Sequence, residues 1–578
     1  MMPPVAPKSW EPRPIVASPD HSGQVEIIAA ELSITPALAR LLWQRGFTTA
    51  LAMDRHLSPG LKHLARPADW PMLEQAACAV LSALERRSVL GIWGDYDADG
   101  VTATALLTDF FRGRGIAVTP HIPVRMEDGY GVNLPGIERL HAEGIQTLIT
   151  VDCGISDIAA LARARELGME VIVTDHHLPG AALPPATAIC NPRLGGCPCE
   201  SMGDLAGVGV AFYLAAALNH RLPGPASDIR ALLDLVALGT LADVVPLSGI
   251  NRILCKNGLL LIAEGARPGM AALKEAAGYA ATAALTGGSV AFNLAPRINA
   301  AGRMGRAQVA LDCLLASDKP TAAPLAGQLD DMNRDRRAEE ERILQEALTA
   351  AAALPQLGLV LCGEGWHEGV IGIVASRVVE AFHKPTVVLS RENGSGRCKG
   401  SGRSVPGFDL HKGLTRCAEV LTRFGGHPQA AGMTLDESNL ELFRSKFHEA
   451  VLEQLGPEPP GPRLHVDGEL SFAEVDHLLL RELELLQPFG IGNPEPVFVS
   501  PPVEVLSRKT FGQDNRHVRL MLRDKAAGLT LRAKAWRMGE RIPASLVGQK
   551  VRLAFVPRID SYGGLPTIEL ELRDLSPA

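Results

Sequence analysis

The chain has 578 residues, too many for one hydrophobic core, so roughly two to four domains are expected. Hydrophobic residues make up 46% and charged residues 21%, which excludes a disordered or fibrous chain. A net charge of −7 excludes a uniformly basic protein, so any nucleic-acid surface must be a local basic patch.

In chain order, residues 1–80 read as helical. Val89–Trp93 is a short apolar run, and Val101–Phe111 follows as an amphipathic helix. Ala117–Val124, Gln146–Val151, Glu170–Thr174 and Ala188–Asn191 are strand-like, with helical stretches such as Ser156–Leu167 between some of them. Alternating strands and helices imply a mostly parallel α/β sheet covered on both faces. Residues 205–240 are Ala- and Leu-rich helices. The charged run at 325–354 predicts a long solvated helix joining two domains. A second α/β unit follows, from strand Leu359–Cys362 through helix Val370–Phe382 and strand Thr386–Leu389 to a Gly-rich turn and another helix. Pro457–Pro462 reads as a linker. From about 500 to 575, apolar and polar residues alternate in HVRLMLRD, LTLRAKAW, VRLAFVPR and TIELELRD, which predicts a small β-barrel.

No run of about 18 apolar residues predicts a membrane helix. The opening MMPPVAPKSWEPRP lacks the charged and apolar regions of a secretory signal, and ten scattered cysteines suit reduced thiols. The expected location is the cytoplasm. Cys190, Cys197 and Cys199 crowd together but lack a fourth ligand at zinc spacing, so they read as an insertion loop.

The strongest chemical signal is Gly94-Asp95-Tyr96-Asp97-Ala98-Asp99-Gly100, three carboxylates where the first strand ends. Such close like charges stay ionised only with cations among them. Ligands of open α/β sheets bind past the carboxyl ends of strands. Asp152 ends TLITV, and Asp175, His176 and His177 end EVIVT; Asp243 follows the helical stretch LLDLVALGTLA. A lone Asp after a strand is usually a helix cap or turn residue. DxDxDG also mimics a calcium loop, but its twelfth position, counted from Asp95, is Leu106. Many carboxylates, histidine and no cysteine suit two Mn²⁺ or Mg²⁺ ions better than zinc. In the second α/β unit, Gly400-Ser401-Gly402-Arg403-Ser404 and Gly425-Gly426-His427 offer backbone N–H groups, a hydroxyl and a guanidinium, a candidate phosphate cradle. Arg377 follows the small-residue run IGIVAS, and Arg303 lies in AAGRMG. In the tail, Arg508, Lys509, Arg516, His517, Arg519, Arg532, Lys534 and Arg537 alternate with Phe511 and Trp536. Basic groups among rings suit single-stranded nucleic acid.

GDYDADG with TDHH resembles the DHH phosphoesterase superfamily. In order, VDCGIS, LAGVGVAFYL, GTLADVVPL, PRINAAGRMG, GWHEGVIGIVASR, GSGRS, FGGHPQAAGM and LLQPFGIGNPEPVF resemble the RecJ family of bacterial single-strand-specific exonucleases over nearly all the chain beyond residue 50. The resemblance implies a DHH catalytic domain at 81–320, a connecting helix at 321–355, a DHHA1-type substrate domain at 356–456 and an OB-fold at 463–578, after an N-terminal helical segment at 1–80. It implies a 5′→3′ exonuclease releasing 5′-mononucleotides in DNA repair and recombination. Asp97, Asp99, Asp152, His176 and Asp243 match the metal ligands, with Asp152 the natural bridge, His177 against the scissile phosphate and Asp95 a further member. Arg303, Arg377, Ser401, Gly402, Arg403, Gly425, Gly426 and His427 are the expected substrate residues. Arg516, Arg519, Lys534 and Trp536 are those expected on the OB-fold. Related pyrophosphatases carry a ligand histidine where Trp93 stands, four residues before Asp97. Expected partners are single-stranded DNA, a single-strand-binding protein and a helicase, with the enzyme a monomer. The competing readings are a phosphodiesterase for short oligonucleotides or cyclic dinucleotides, and an inactive replication scaffold.

Overall fold

The computed structural model describes residues 8–14, 22–124, 129, 131–391, 394–459, 461–512, 515–560 and 566–578. The segment expected to be helical does not begin as a helix. Ser9–Pro12 forms a strand, β1, before the helices Ser22–Leu32, Pro36–Gln44, Ala50–Leu57 and Pro71–Glu85. Pro12 and Pro14 explain the difference: proline lacks an N–H and pushes the preceding residue towards extended backbone. The rest of that expectation, at 1–7 and 15–21, and residue 460 of the expected linker lie outside the described residues.

The chain divides into two compact units. One comprises 58–335 and 486–495; the other comprises 1–57, 336–485 and 496–578. The helix Lys319–Ala352 runs through the division.

The first unit is built on a five-stranded parallel sheet. Its strands are β2 (Leu90–Trp93), β3 (Val118–His121), β4 (Thr147–Val151), β5 (Glu170–Thr174) and β6 (Ala188–Cys190), in the order β3-β2-β4-β5-β6. LGIW and TLITV are buried throughout, as strands covered on both faces must be. Trp93 pairs with Thr150, and Val151 with Thr174, so the strands end almost level. The strand order turns back between β2 and β4, which is where open α/β sheets bind ligands. The helix Ala98–Gly113 starts three residues earlier than predicted, and the helix Gly207–Asn219 packs against it. The helix Leu233–Ala242 is apolar on nearly every face and buried along most of its length. No helix among the described residues is long and apolar enough to cross a membrane.

The second unit holds a mixed sheet of β7 (Leu359–Glu364), β8 (Thr386–Arg391), β9 (Arg397–Arg403), β10 (Arg423–Gly426) and β11 (Ala430–Asp436), ordered β10-β11-β9-β8-β7. The Gly-rich stretch read as a turn is instead its central strand, β9. Gly400 and Gly402 are there for packing: a Cβ on Gly400 would lie 2.4 Å from Leu389 Cδ2 and 2.8 Å from Met433 Sδ, and one on Gly402 would lie 2.9 Å from Leu410 Cδ2. The strand β12 (Arg463–Val466) pairs in parallel with β1. Beyond it, β13 (Phe498–Val499), β14 (Val503–Phe511), β15 (His517–Asp524), β16 (Leu529–Ala535), β17 (Lys550–Asp560) and β18 (Thr567–Pro577) form the last sheet. The pairings β17–β14 and β17–β18 close five of these strands into a barrel, with β13 outside. The expected α/β and β-barrel classes are both present.

Candidate metal centre and phosphate-binding surface

Each candidate acidic ligand is held by the end of an element. Asp97 caps the helix Ala98–Gly113, its Oδ1 accepting from the N–H groups of Asp99 at 3.0 Å and Gly100 at 3.1 Å. Asp99, in the first turn, accepts from Gly207 N–H at 2.6 Å and Val208 N–H at 2.9 Å, the start of the neighbouring helix. Asp152 follows β4 with φ +58°, a left-handed conformation that costs energy outside glycine and concentrates at functional sites. Asp243 caps the end of the helix Leu233–Ala242 and accepts from Val244 N–H at 2.7 Å.

These side chains converge. His176 Nε2 lies 3.0 Å from Asp152 Oδ1 and 3.7 Å from both Asp99 Oδ2 and Asp243 Oδ2. Asp152 Oδ1 and Asp243 Oδ2 are buried and accept no hydrogen bond from the described residues. Three donor sets, each within 4.8 Å, overlap: Asp99/His176/Asp243, Asp95/Asp97/Asp152 and Asp152/His176/His177. Asp152 belongs to two of them, as a bridging ligand does. Burial, then repulsion from neighbouring carboxylates, holds Asp99 and Asp152 well above the usual carboxylate range. Burial likewise raises Asp97, against the pull of its helix-capping hydrogen bonds. Uncompensated oxygens packed this closely fit divalent cations, and a set of carboxylates and imidazoles without thiolate fits Mn²⁺ or Mg²⁺.

Asp175 is the orienting residue that sequence reasoning passed over inside its own motif. Its Oδ1 accepts from His176 N–H at 2.7 Å and His177 N–H at 3.1 Å and stands 2.8 Å from His177 Nδ1; its Oδ2 accepts from Ile155 N–H at 3.0 Å. Burial pushes its carboxyl up, but His177 and these N–H groups outweigh that and hold it below the usual range. Burial also works against the His177 imidazolium, yet Asp175, with Asp243 and Asp97 behind it, raises its pKa to about 9. The second missed group is Asn299, whose Oδ1 accepts from Ala98 N–H at 2.8 Å, while Gly302 in the same helix lies against Tyr96 O. PRINAAGRMG therefore braces the acidic loop, and Arg303 ends that helix. Trp93 does not face the candidate ligands. Its ring is buried in a separate core with Val132, Ile137 and Leu161, where Gly136 makes room for it.

In the second unit, Arg403 Nη1 donates to Ser401 Oγ at 2.9 Å and Gly402 O at 2.8 Å, and both side chains lie over Gly372 of the helix Glu368–Phe382. No carboxylate pairs with Arg403 among the described residues, and burial lowers its pKa. The N–H groups of 400–403 belong to a central strand, which removes the free backbone donors expected of a turn. Gly425 and Gly426 are likewise strand residues at the sheet edge, and His427 is exposed, its N–H bonded to Ala430 O. Arg377 is exposed and 3.4 Å from Glu340 Oε1.

On the barrel, Trp536 is 49% exposed, with Phe511 5.6 Å and His517 5.0 Å from it between ring centres; the Arg519 guanidinium stands 5.4 Å from the Phe511 ring. Arg516 is exposed nearby in sequence. Lys534 departs from expectation. It is 3.0 Å from Asp560 Oδ2 and 2.5 Å from Glu569 Oε2, a compensated pair across strands rather than a free cation. Arg508 is also occupied, donating to Ile542 O and Gly539 O.

Three family models match: the DHH family N-terminal domain at 90–240, the DHHA1 domain at 352–453 and the RecJ OB domain at 466–574. The chain is 36% identical over 568 residues to the single-stranded-DNA-specific exonuclease RecJ of Escherichia coli, covering 94% of this chain and 96% of that one. The crystal structure of Thermus thermophilus RecJ in complex with Mn²⁺ matches with TM-score 0.83 at 33% identity, covering 99% of this chain and 80% of that one. The Mg²⁺ complex of the same protein matches with TM-score 0.78 at 31% identity, covering 99% and 78%. Fold, ordered motifs and near-complete coverage agree: the chain belongs to the RecJ family of single-stranded-DNA-specific exonucleases.

Proposed function

We propose that this protein is a metal-dependent, single-stranded-DNA-specific exonuclease that works 5′→3′ and releases 5′-mononucleotides in DNA repair and recombination. The observation that carries the reading is the convergence of Asp99, Asp152, His176 and Asp243 around oxygens that accept no hydrogen bond from the described residues, in a chain spanning nearly all of its exonuclease relative. Asp97, Asp99, Asp152, His176 and Asp243, with Asp95 beside them, would hold two Mn²⁺ or Mg²⁺ ions, which when bound activate water and offset charge on the leaving oxygen. Asp175 orients His177 through Nδ1, leaving Nε2–H to donate to the scissile phosphate. The intact ligand set argues against an inactive scaffold, and the barrel argues against a phosphodiesterase for the shortest oligonucleotides. The test compares end-labelled single- and double-stranded DNA with Mn²⁺, Mg²⁺ and a chelator. Degradation of the single strand alone, and only with metal, is expected; hydrolysis in chelator or preference for duplex would contradict the reading.

Domain roles follow. The DHH unit cuts, the DHHA1-type unit with Ser401, Arg403, Arg377 and His427 receives the terminal phosphate, and the barrel grips the strand. A dianionic 5′-phosphate gains more from the Arg403 guanidinium than a diester does. Arg403→Ala is therefore expected to reduce the preference for 5′-phosphorylated over 5′-hydroxyl strands roughly tenfold, with metal-dependent thermal stabilisation unchanged. An unchanged phosphate preference would refute the cradle. For the barrel, deleting everything from 460 is a poor test, because 486–495 belongs to the other unit: Leu247 N–H bonds Ile491 O, and Arg252 Nη1 bonds Leu486 O. Trp536→Ala is cleaner. Losing one stacked base costs about 1–3 kcal/mol of single-strand affinity, so KM is expected to rise with kcat nearly unchanged; unaltered binding would remove Trp536 from the interface.

The same reading has the protein act as a cytoplasmic monomer beside a helicase, which supplies single strands, and a single-strand-binding protein, which coats them.

A further inference from the structure

One face of the sheet β10-β11-β9 is unlike the other. Phe424, Met433, Ala431, Leu435 and Cys398 turn to the core, so the alternate residues turn outward. The outward residues stand in three rows by strand register: Arg423, Thr434 and Lys399; then Gly425, Gly432 and Ser401; then His427, Ala430 and Arg403. The helix Glu368–Phe382 covers β8 and reaches Ser401 and Arg403 at Gly372, while Gly432 and Gly425 are exposed. A Cβ on Gly425 would meet nothing within 4 Å, and one on Gly432 only Gly400 O at 3.9 Å. The middle row is thus a bare floor running from Ser401 to the sheet edge, with cations on both sides.

The cations differ in how they are compensated. Lys399 is 3.4 Å from Glu368, whereas Arg423 is exposed and has no carboxylate partner among the described residues. Strands lie about 4.8 Å apart, so the floor from Ser401 to Gly425 is about 10 Å long. A single charge-assisted phosphate contact needs only about 3 Å, so Ser401 and Arg403 fill one end and leave the other.

Resting on the exonuclease reading, we propose that this ledge is a second phosphate site, in which Arg423, across Gly432 and Gly425 from Arg403, binds a phosphate adjacent to the one held by Ser401 and Arg403. The next diester of the strand is the scissile one, which the metal ions would hold, so the source is the outer phosphates of a 5′-triphosphate terminus. Glycine at 425 and 432 keeps the path open, and the positive strip ends where Asp436 faces Arg397.

The test measures kcat/KM with Mn²⁺ on one single-stranded oligonucleotide bearing a 5′-hydroxyl, 5′-monophosphate or 5′-triphosphate. Arg423→Ala removes the charge, and Gly425→Leu fills the floor at an exposed position without steric neighbours. Each is expected to lower kcat/KM most on the 5′-triphosphate strand, roughly tenfold, the weight of a charged hydrogen bond. A loss confined to the triphosphate assigns the site to the terminus. An equal loss on all three substrates overturns it, because only the triphosphate strand carries outer phosphates. Either variant within twofold of wild type on every substrate overturns the inference while the exonuclease reading stands. A wild-type protein that leaves the strand intact overturns both.

Discussion

Replacing Asp152 with asparagine is expected to cut hydrolysis by roughly 10³-fold or more while making the metal-free protein more stable. The side chain is almost wholly buried, His176 Nε2 is 3.0 Å away, and Asp99, Asp97, Asp95 and Asp175 repel its charge. Asparagine keeps the shape and tolerates the left-handed backbone at φ +58°. It also removes the charge that two of the three donor sets share. The sign of the pH dependence follows from the raised pKa. A carboxyl held above its ordinary 3.8 keeps its proton in the folded state, so its contribution to stability is fully present below that value and is lost as pH rises through the folded pKa. Asparagine cannot suffer that loss. Its advantage over wild type is therefore near zero at about pH 4 and grows as pH rises towards neutral in chelator. Added Mn²⁺ is expected to raise the wild-type melting temperature by mass action and to raise the variant's much less. Thermal melts in chelator and in Mn²⁺ check both halves. An active variant, or one less stable than wild type without metal, would remove Asp152 from the centre of the site.

Gly207→Ala is expected to abolish activity as thoroughly and to destabilise the protein instead. A Cβ there would lie 2.6 Å from Asp152 Cβ and 2.7 Å from its Oδ1, closer than real contacts allow. Gly207 also donates to Asp99 at 2.6 Å, so the helix start cannot retreat without releasing a second carboxylate of the candidate site. Overpacking of this kind costs about 1–3 kcal/mol. The pair of variants separates charge from fit: both lose activity, but the metal-free melting temperature rises for Asp152→Asn and falls for Gly207→Ala. A fully active Gly207→Ala protein would mean that the helix start is not what aligns Asp99 with Asp152.

Asp97, Asp99, Asp152 and His176 were legible because parallel strands buried on both faces give continuous apolar runs whose ends are easy to find, and polar residues at those ends stand out. Asp243 was legible for a related reason, as the first charge after the buried helix Leu233–Ala242. Gly207 was not, since its role is to be small beside a side chain more than fifty residues away in sequence. Gly400 and Gly402 misled for the opposite reason. Glycine normally punctuates a chain, but here it lets a central strand pass under Leu389, Met433 and Leu410. Lys534 looked like its neighbours in an alternating strand, and only the register that sets it beside Glu569 and Asp560 shows its charge to be compensated. Residues 486–495 fold with the first unit although the sequence around them belongs to the second, a long-range choice that local pattern does not carry.

The central claim is end-directed hydrolysis of a single strand at the Asp99–Asp152–His176–Asp243 centre, and a time course with Mn²⁺ on matched 5′-labelled and 3′-labelled single strands tests it most directly. The 5′ label is expected as mononucleotide from the first time point while the 3′-labelled strand shortens gradually. Release of the 3′ label first, or internal fragments from either strand, would contradict the account.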